Sequence, residues 1–212
     1  MADPLDVLTL TEAHTAINLP VANVDHDVEL AQQITAVSAI LDAEVGCVVQ
    51  RAVANERHDG GSYALVTRLW PVASFTSITE DLHGTPTVLT AYRAQPFDRM
   101  AGLFSGRVER SAAVFPTATD ERWNIQVDYV AGRYANTAAV AARYKTTAAS
   151  ILRRLWKRES GTWAQSADFF ETLDTQATSS GFYRVAKPII DEMLADELER
   201  YSYTRLKHFG VA

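Results

Sequence analysis

The stretch IQVDYVAGRYANTAAVAARYKTTAASILRRLWKRE, residues 125–159, decides the fold because its hydrophobic period changes part-way along. Its first residues alternate apolar and polar side chains up to Gly132, which is typical of a half-buried antiparallel strand. From Asn136 or Thr137, either of which can cap a helix, the period is helical to about Glu159. The predicted buried face of this helix comprises Val140, Tyr144, Ala148, Ile151, Leu152 and Leu155.

The sequence pattern predicts a β region from about residue 48 to residue 132. Short apolar segments rich in β-branched residues are separated by turn signals at 59–61 and 83–86. Strands are predicted at 48–53, 63–69, 74–79, 87–92, 102–104 and 123–130.

Two helices are predicted before the β region. Thr9 and Glu12 have the spacing of a capping box, and Pro20 ends the helix that they open. Asp25 or Asp27 can cap the second helix, which ends near Gly46. Its apolar stripe, at a clear 3.6-residue period, comprises Leu30, Ile34, Val37, Leu41 and Val45.

The chain after residue 160 reads as an extension. Polar residues up to Gly181 indicate a linker, and Pro188 is predicted to occupy the first position of a last helix. An aromatic and basic end follows that helix. An amphipathic helix after a linker can dock back on its own body or fit the groove of a partner, and the pattern slightly favours a partner.

Composition and charge limit the function classes. The 212 residues carry a net charge of −6, which disfavours tight binding to duplex nucleic acid. Residues 1–47 hold eight acids and no lysine or arginine, residues 137–160 hold six bases and one acid, and residues 161–201 hold eight acids and three bases. Such blocks suit contacts between copies of one chain, although a solvated surface explains them equally well.

Few features of the sequence indicate the cellular compartment in which the chain folds. The sequence has no apolar run long enough to span a membrane and no secretory signal at Met1–Pro4. The single cysteine, Cys47, cannot form an internal disulfide, so folding in a reducing cytoplasm is expected.

Known catalytic motifs are absent from the sequence. There is no P-loop, no nucleophile elbow and no dinucleotide-binding glycine motif, and the five histidines do not share a helix face. Asp25, His26 and Asp27 form a helix-start cluster more readily than a metal site, and Cys47 is expected to be core. We therefore predict no catalytic, cofactor-binding or metal-binding residues and no enzyme activity.

Ordered motifs along the chain carry a family resemblance. They are Leu8–Ala13, Asp25–Glu29, Leu69-Trp70-Pro71-Val72, Phe75, Ile78, Gly84, Tyr92, Gly102-Leu103, Val127–Gly132 and Trp156-Lys157-Arg158. Over residues 8–160 the sequence resembles the head–tail connector (adaptor) family of long-tailed, siphovirus-type bacteriophages. In that family a "pV" strand, a "Y.aG" strand end and a helix with a basic end recur in this order.

The resemblance implies an α+β, mainly α fold, in which a helical bundle carries an inserted antiparallel β region and a C-terminal helical extension. Residues 1–160 would form the connector core, with the β region at about 48–132, and residues 161–212 a linker and docking helix. It also implies a structural virion protein at the head–tail junction, made in the bacterial cytoplasm. Its copies would form a ring, expected to be a dodecamer, beneath the portal.

The implied partners are the portal protein, a stopper or tail-completion protein and further copies of the chain. DNA would pass through the ring without specific binding, no membrane is involved and no cofactor is expected. The residues expected to dock on the portal are Ile190, Leu194, Leu198, Tyr201, Tyr203, Arg205, Lys207 and Phe209. Those expected at inter-subunit or lumen contacts are Arg153, Arg154, Lys157 and Arg158.

Other interpretations remain open from the sequence. The chain can be a stopper or tail-completion protein of the same neck, or an enzyme whose site has no recognisable motif. It can also be a small nucleic-acid-binding regulator that uses Trp156 and the bases of residues 143–158.

Overall fold

The computed structural model describes residues 3–82, 85–111, 114–116, 124–159 and 181–199. The chain divides into two compact units. The helical unit draws its described residues from Met1–Val48 and Asn136–Arg200, and the sheet unit draws its described residues from Val49–Ala135.

The first helix of the helical unit, α1 (Leu10–Ile17), begins as the sequence predicts. The Thr9 side chain accepts a hydrogen bond from the Glu12 amide, and the Glu12 side chain accepts one from the Thr9 amide. Asn18 ends the helix in the left-handed conformation. The predicted capping box is therefore confirmed.

The second helix, α2 (Asp27–Val45), contains the predicted apolar stripe, and every residue of that stripe is buried. Its predicted cap is wrong. His26 occupies the capping position and makes no side-chain cap hydrogen bond, while Asp27 lies within the first turn. There the Asp27 carboxylate contacts His14 instead, at 2.7 Å.

The long helix that follows the sheet is shorter than predicted. Asn136 caps a short 3-10 turn, Thr137–Ala139, and α3 (Ala142–Glu159) begins after it. The whole predicted buried face of this helix is buried. Lys145 forms an ion pair with Glu12, which ties α3 to the start of α1.

The last described helix is α4 (Gly181–Met193), and residues 195–199 are helical again. The prediction that Pro188 opens this helix is wrong, because Pro188 lies inside it. A proline in a helix interior removes one backbone hydrogen bond. The turn before Pro188 nevertheless buries Ala186 completely, and this packing supports a helix that continues through the proline.

The sheet unit contains one seven-stranded antiparallel sheet with the order β1-β7-β3-β6-β2, in which β4 pairs with β3 and β5 pairs with β6. The strands are β1 (Arg51–His58), β2 (Ala64–Val66), β3 (Val72–Leu82), β4 (Thr85–Val88), β5 (Tyr92–Asp98), β6 (Leu103–Arg110) and β7 (Ile125–Ala131).

The predicted β region is confirmed, but two of its strands were misjudged. The predicted strand 87–92 is wrong, because these residues end β4, form a connection and begin β5. The sequence analysis missed β5, which contains Pro96 and lacks clear alternation. A proline is tolerated there because β5 pairs with β6 alone among the described strands. Helices and sheet contribute comparably to the described residues, so the fold is α+β rather than mainly α.

Gly132 explains the "AG" ending of β7. Its φ is +122°, and an added Cβ would lie 2.6 Å from the Val49 carbonyl oxygen. A strand-like bridge pairs Val49 with Tyr134, and the Gln50 amide donates to the Tyr134 carbonyl over 2.7 Å. Glycine is therefore required where these two backbones approach each other.

Candidate interaction surfaces

A hydrogen-bonded cluster joins β1, β7 and the connection between β2 and β3 in the sheet unit. The buried Tyr129 hydroxyl of β7 donates to Glu56 of β1 over 2.5 Å and accepts from the Leu69 amide over 3.0 Å. The Arg68 amide donates to the same Glu56 carboxylate over 2.7 Å, and His58 Nε2 lies 2.9 Å from it. The cluster therefore fixes the connection between β2 and β3 on the sheet.

The ionisation of this cluster follows from its contacts. Burial opposes the charge on Glu56, but the contacts with His58, Tyr129 and the Arg68 amide outweigh burial and lower its pKa. Burial raises the pKa of Tyr129, and the bond to Glu56 raises it further. Tyr129 therefore stays protonated and Glu56 ionised at neutral pH, which suits a structural anchor.

A bulge in β1 is held by Asp128 of β7. The register of β1 on β7 shifts between Val53 and Glu56, and Asn55 has a φ of 60°. The Asn55 amide and the Ser77 hydroxyl each donate to the Asp128 carboxylate over 2.7 Å. The bond from the Asn55 amide contributes most to lowering the pKa of Asp128, and the bond from the Ser77 hydroxyl lowers it further.

The turn between β5 and β6 presents the most exposed apolar side chain in the described part of the chain. Met100 is 99% exposed, and Arg99 beside it is exposed as well. The Asp98 carboxylate accepts from the Met100 amide over 3.0 Å and from the Ala101 amide over 3.2 Å. The backbone of this turn is therefore braced, and we call residues 99–101 the hairpin tip.

Three exposed valines lie within residues 21–28, around the start of α2. Val21, Val24 and Val28 are 55%, 64% and 70% exposed. Asp25 is exposed between them and Glu29 is half-buried beside them. We call these five residues the valine patch; it combines exposed apolar surface with negative charge.

Histidines and a tryptophan lie next to the valine patch. The ring of His26 meets the ring of Trp156 edge-on at 5.8 Å between centroids, and its Nδ1 lies 3.0 Å from Glu29. His14 is buried, and its Nε2 contacts Asp27. These contacts fix the first turn of α2, from which Val28 projects.

The predicted basic cluster at the end of α3 is only partly described. Arg153 donates from Nε to the Ala16 carbonyl over 2.8 Å, so it satisfies a backbone oxygen at the end of α1. Arg154 is exposed. The side chains of Lys157 and Arg158 lie outside the described part. The predicted role of all four in inter-subunit or lumen contacts stays a prediction.

The predicted portal-docking stripe divides into two parts. Ile190 and Leu194 are buried within the helical unit, where α4 packs against α2 and α3, and Leu198 is half-buried. Tyr183 donates to Glu44 over 2.9 Å, and Arg143 pairs with Glu197 at 2.6 Å. Outside the described residues lie Tyr201, Tyr203, Arg205, Lys207 and Phe209. Ile190 and Leu194 thus have partners in their own chain, and portal docking by the stripe stays a prediction.

Two further carboxylates are perturbed by burial. Burial raises the pKa of Asp6 in the helical unit, against bonds from the Thr35 hydroxyl and the Asp3 amide. Burial also raises the pKa of Glu80 in the sheet unit, although Arg110 lies 2.8 Å away and opposes the shift. Both carboxylates have internal partners, so each has a structural explanation.

The described residues meet the requirements of neither a metal site nor a membrane-spanning helix. The described residues contain no group of three or more histidine, cysteine, aspartate or glutamate side chains that could hold a metal ion. Among those residues, no helix is long and apolar enough to cross a membrane.

Neither the hairpin tip nor the valine patch was predicted from the sequence. Residues 98–102, DRMAG, have the composition of a turn, but that composition does not show that the β5–β6 hairpin leaves Met100 uncovered. The valines at 21, 24 and 28 read as ordinary apolar residues around a helix start, and single exposed apolar residues are common.

Comparison with known proteins shows similarity of fold. No known protein family matches the sequence, and no curated protein matches it. The chain is similar to a chain from the neck of an empty gene transfer agent (GTA) particle, in a structure computed with C6 symmetry. The TM-score is 0.55 and the sequence identity is 20%, and the match covers 86% of this chain and 89% of the other. It is also similar to a chain from the virion of a native GTA particle, with a TM-score of 0.52 and 18% identity over 89% and 91% of the two chains.

Proposed function

We propose that this chain is a structural subunit of the neck of a phage-like particle and acts there as the head-to-tail adaptor. Its copies form a ring beneath the portal, join the capsid to the tail and let DNA pass. The role is non-enzymatic. The observation that carries the proposal is the shared fold with a GTA neck chain, which extends over 86% of this chain and 89% of that one.

The order of sequence motifs supports the same assignment independently of the fold comparison. The motifs at 69–72, 127–132 and 156–158 follow the order of the adaptor family, and Gly132 has a structural reason in the close approach of Val49. The neck with the similar chain was computed with C6 symmetry, with which a ring of twelve copies is compatible.

Charge supports passage of DNA rather than retention. The net charge is −6, and residues 1–47 contain no lysine or arginine. An acidic surface repels phosphate, so a lumen with this charge would not trap DNA.

We also propose that the aromatic and basic end of the chain contacts the portal. Ile190 and Leu194 are covered by α2 and α3, so the docking residues would be Tyr201, Tyr203, Arg205, Lys207 and Phe209. A stopper or tail-completion protein on the other side of the ring is the second expected partner.

The test is assembly on the portal protein of the same particle. Purified chain and portal are mixed and analysed by co-sedimentation and negative-stain electron microscopy. We expect a ring on one end of the portal. Binding to a tail protein but not to the portal would instead favour a stopper or tail-completion role, and binding to neither would contradict a neck function.

The truncation variant for this test ends after Arg200. It removes the proposed portal contacts but keeps Ile190 and Leu194, so the core of the helical unit is retained. A milder variant of the same surface carries Arg205→Ala and Lys207→Ala in the full chain. We expect the truncation to abolish portal binding and the milder variant to weaken it.

A further inference from the structure

We propose that the valine patch of one copy is the docking surface for the hairpin tip of a second copy of this chain. The inference rests on the proposed function, because it names the contact that joins neighbours in the ring. It depends on two surfaces of the described residues that differ in charge and shape.

The two surfaces are complementary in charge. The valine patch carries the exposed Asp25 and the half-buried Glu29, whose carboxylate also contacts His26. The hairpin tip carries Arg99 next to Met100. Opposite charges around an apolar contact favour this pairing and disfavour patch with patch or tip with tip.

The two surfaces are also complementary in their apolar groups. Met100 is 99% exposed, and each valine of the patch is more than half exposed. A methionine side chain is unbranched and adapts to an irregular apolar surface. Burying Met100 between the valines would remove apolar area from water on both copies.

The backbone of the hairpin tip is held in one conformation before any partner binds. Two hydrogen bonds to Asp98 hold the Met100 and Ala101 amides, and Gly102 follows with a φ of +68°. A turn whose backbone is already fixed loses less conformational entropy when it binds. This bracing is the feature that distinguishes the tip from an ordinary exposed loop.

The pairing has a consequence for assembly. A contact between two different surfaces of identical chains is heterologous, and it repeats from copy to copy until the ring closes. Each copy then contributes its valine patch to one neighbour and its hairpin tip to the other.

The test is site-directed cross-linking in chain assembled on the portal. Val24→Cys and Met100→Cys are combined in one chain, and a short bismaleimide is added. The native Cys47 is buried and reacts little in the folded protein. We expect a ladder of covalent oligomers larger than dimers, because each copy forms two different contacts.

Two matched controls define the background. Chains with only one of the two cysteines should remain monomeric after cross-linking. The pair Val88→Cys with Met100→Cys places the first cysteine at an equally exposed valine of β4, and it should give no ladder. A ring that forms on the portal without a ladder above this background would overturn the inference and leave the proposed function intact. A wild-type chain that forms no ring overturns both.

A charge exchange tests the contact without cross-linking. Arg99→Asp should lower incorporation into the ring at least about threefold, since it places like charges together. Asp25→Arg in the same chain should restore incorporation, because the contact again joins opposite charges. Asp25 suits the exchange because it is exposed at the patch. Failure of the second substitution to rescue the first would contradict the pairing.

Discussion

The helical unit and the sheet unit both bury large side chains, with Ile78, Ile125 and Tyr129 among those of the sheet unit, but they differ in how much of their packing a local sequence pattern shows. In the helical unit, apolar stripes with a helical period meet, and the largest fully buried side chains include Leu30, Ile34, Ile151 and Ile190. In the sheet unit, hydrogen bonds to the side chains of Glu56, Asn124 and Asp128 connect strands and loops that are distant in sequence.

This difference decides what the sequence could predict. A helix forms through contacts three and four residues apart, so its buried face is visible in a short window. The stripes of α2 and α3 were therefore predicted residue by residue. A sheet depends on register between distant segments, and nothing local in Glu56 or Tyr129 indicates that they meet.

The first prediction tests the helical unit at its core and has the largest expected effect. Leu152→Ala removes a fully buried side chain of α3 and should lower the free energy of unfolding by about 3 kcal/mol. Urea unfolding followed by circular dichroism measures this. Arg154→Ala, at an exposed position of the same helix, should change stability by less than about 0.5 kcal/mol. Equal effects would contradict the described packing.

The second prediction tests the sheet unit at its hydrogen-bonded anchor. Tyr129→Phe keeps the ring but leaves the Leu69 amide and the Glu56 carboxylate without the hydroxyl. We expect a loss of about 2 kcal/mol in the free energy of unfolding. Tyr63→Phe, at a tyrosine that is 70% exposed, is the matched control and should be close to neutral. A neutral Tyr129→Phe would show that the hydroxyl does not anchor the sheet unit.

The third prediction concerns local structure in the helical unit. Thr9→Ala removes the side chain that caps α1 and should cost about 1 kcal/mol in thermal or urea unfolding. Thr11→Ala, two residues along and exposed, keeps the capping box and should have little effect. If both substitutions cost the same, the capping box does not stabilise the helix.

The fourth prediction concerns pH and has the smallest expected effect. The pKa of Glu56 is lowered on folding, so its ionised form stabilises the fold above its ordinary value of 4.5, and that contribution is lost as pH falls through the lowered pKa. The stability difference between wild type and Glu56→Gln should therefore shrink from about pH 6 to about pH 3. Unfolding by urea at several pH values measures it, and a difference independent of pH would contradict the anchor.

The limits of sequence reasoning follow from particular residues. The helix containing Pro188 was predicted to begin there, because the sequence does not show that Ala186 packs in a core. The strand β5 was missed because Pro96 and a weak alternation hide an edge strand. Likewise, the stripe of Ile190 and Leu194 allowed docking either on its own body or in a partner, with the partner slightly favoured, and both residues are buried where α4 packs against α2 and α3.

The candidate surfaces were harder still to predict. Exposure of Met100 and of the three valines is a property of the folded units, and the sequence gives only their residue types. Charge was the one signal available beforehand, since the absence of lysine and arginine from residues 1–47 is visible directly. It indicated contacts between copies but could not locate them.

The most direct test of the central claim is a cryo-electron microscopy reconstruction of this chain bound to the portal of its own particle. Our account predicts a ring of copies on one end of the portal, with the valine patch of each copy against the hairpin tip of the next. A portal reconstruction without added density, in the presence of excess chain, would contradict the adaptor assignment.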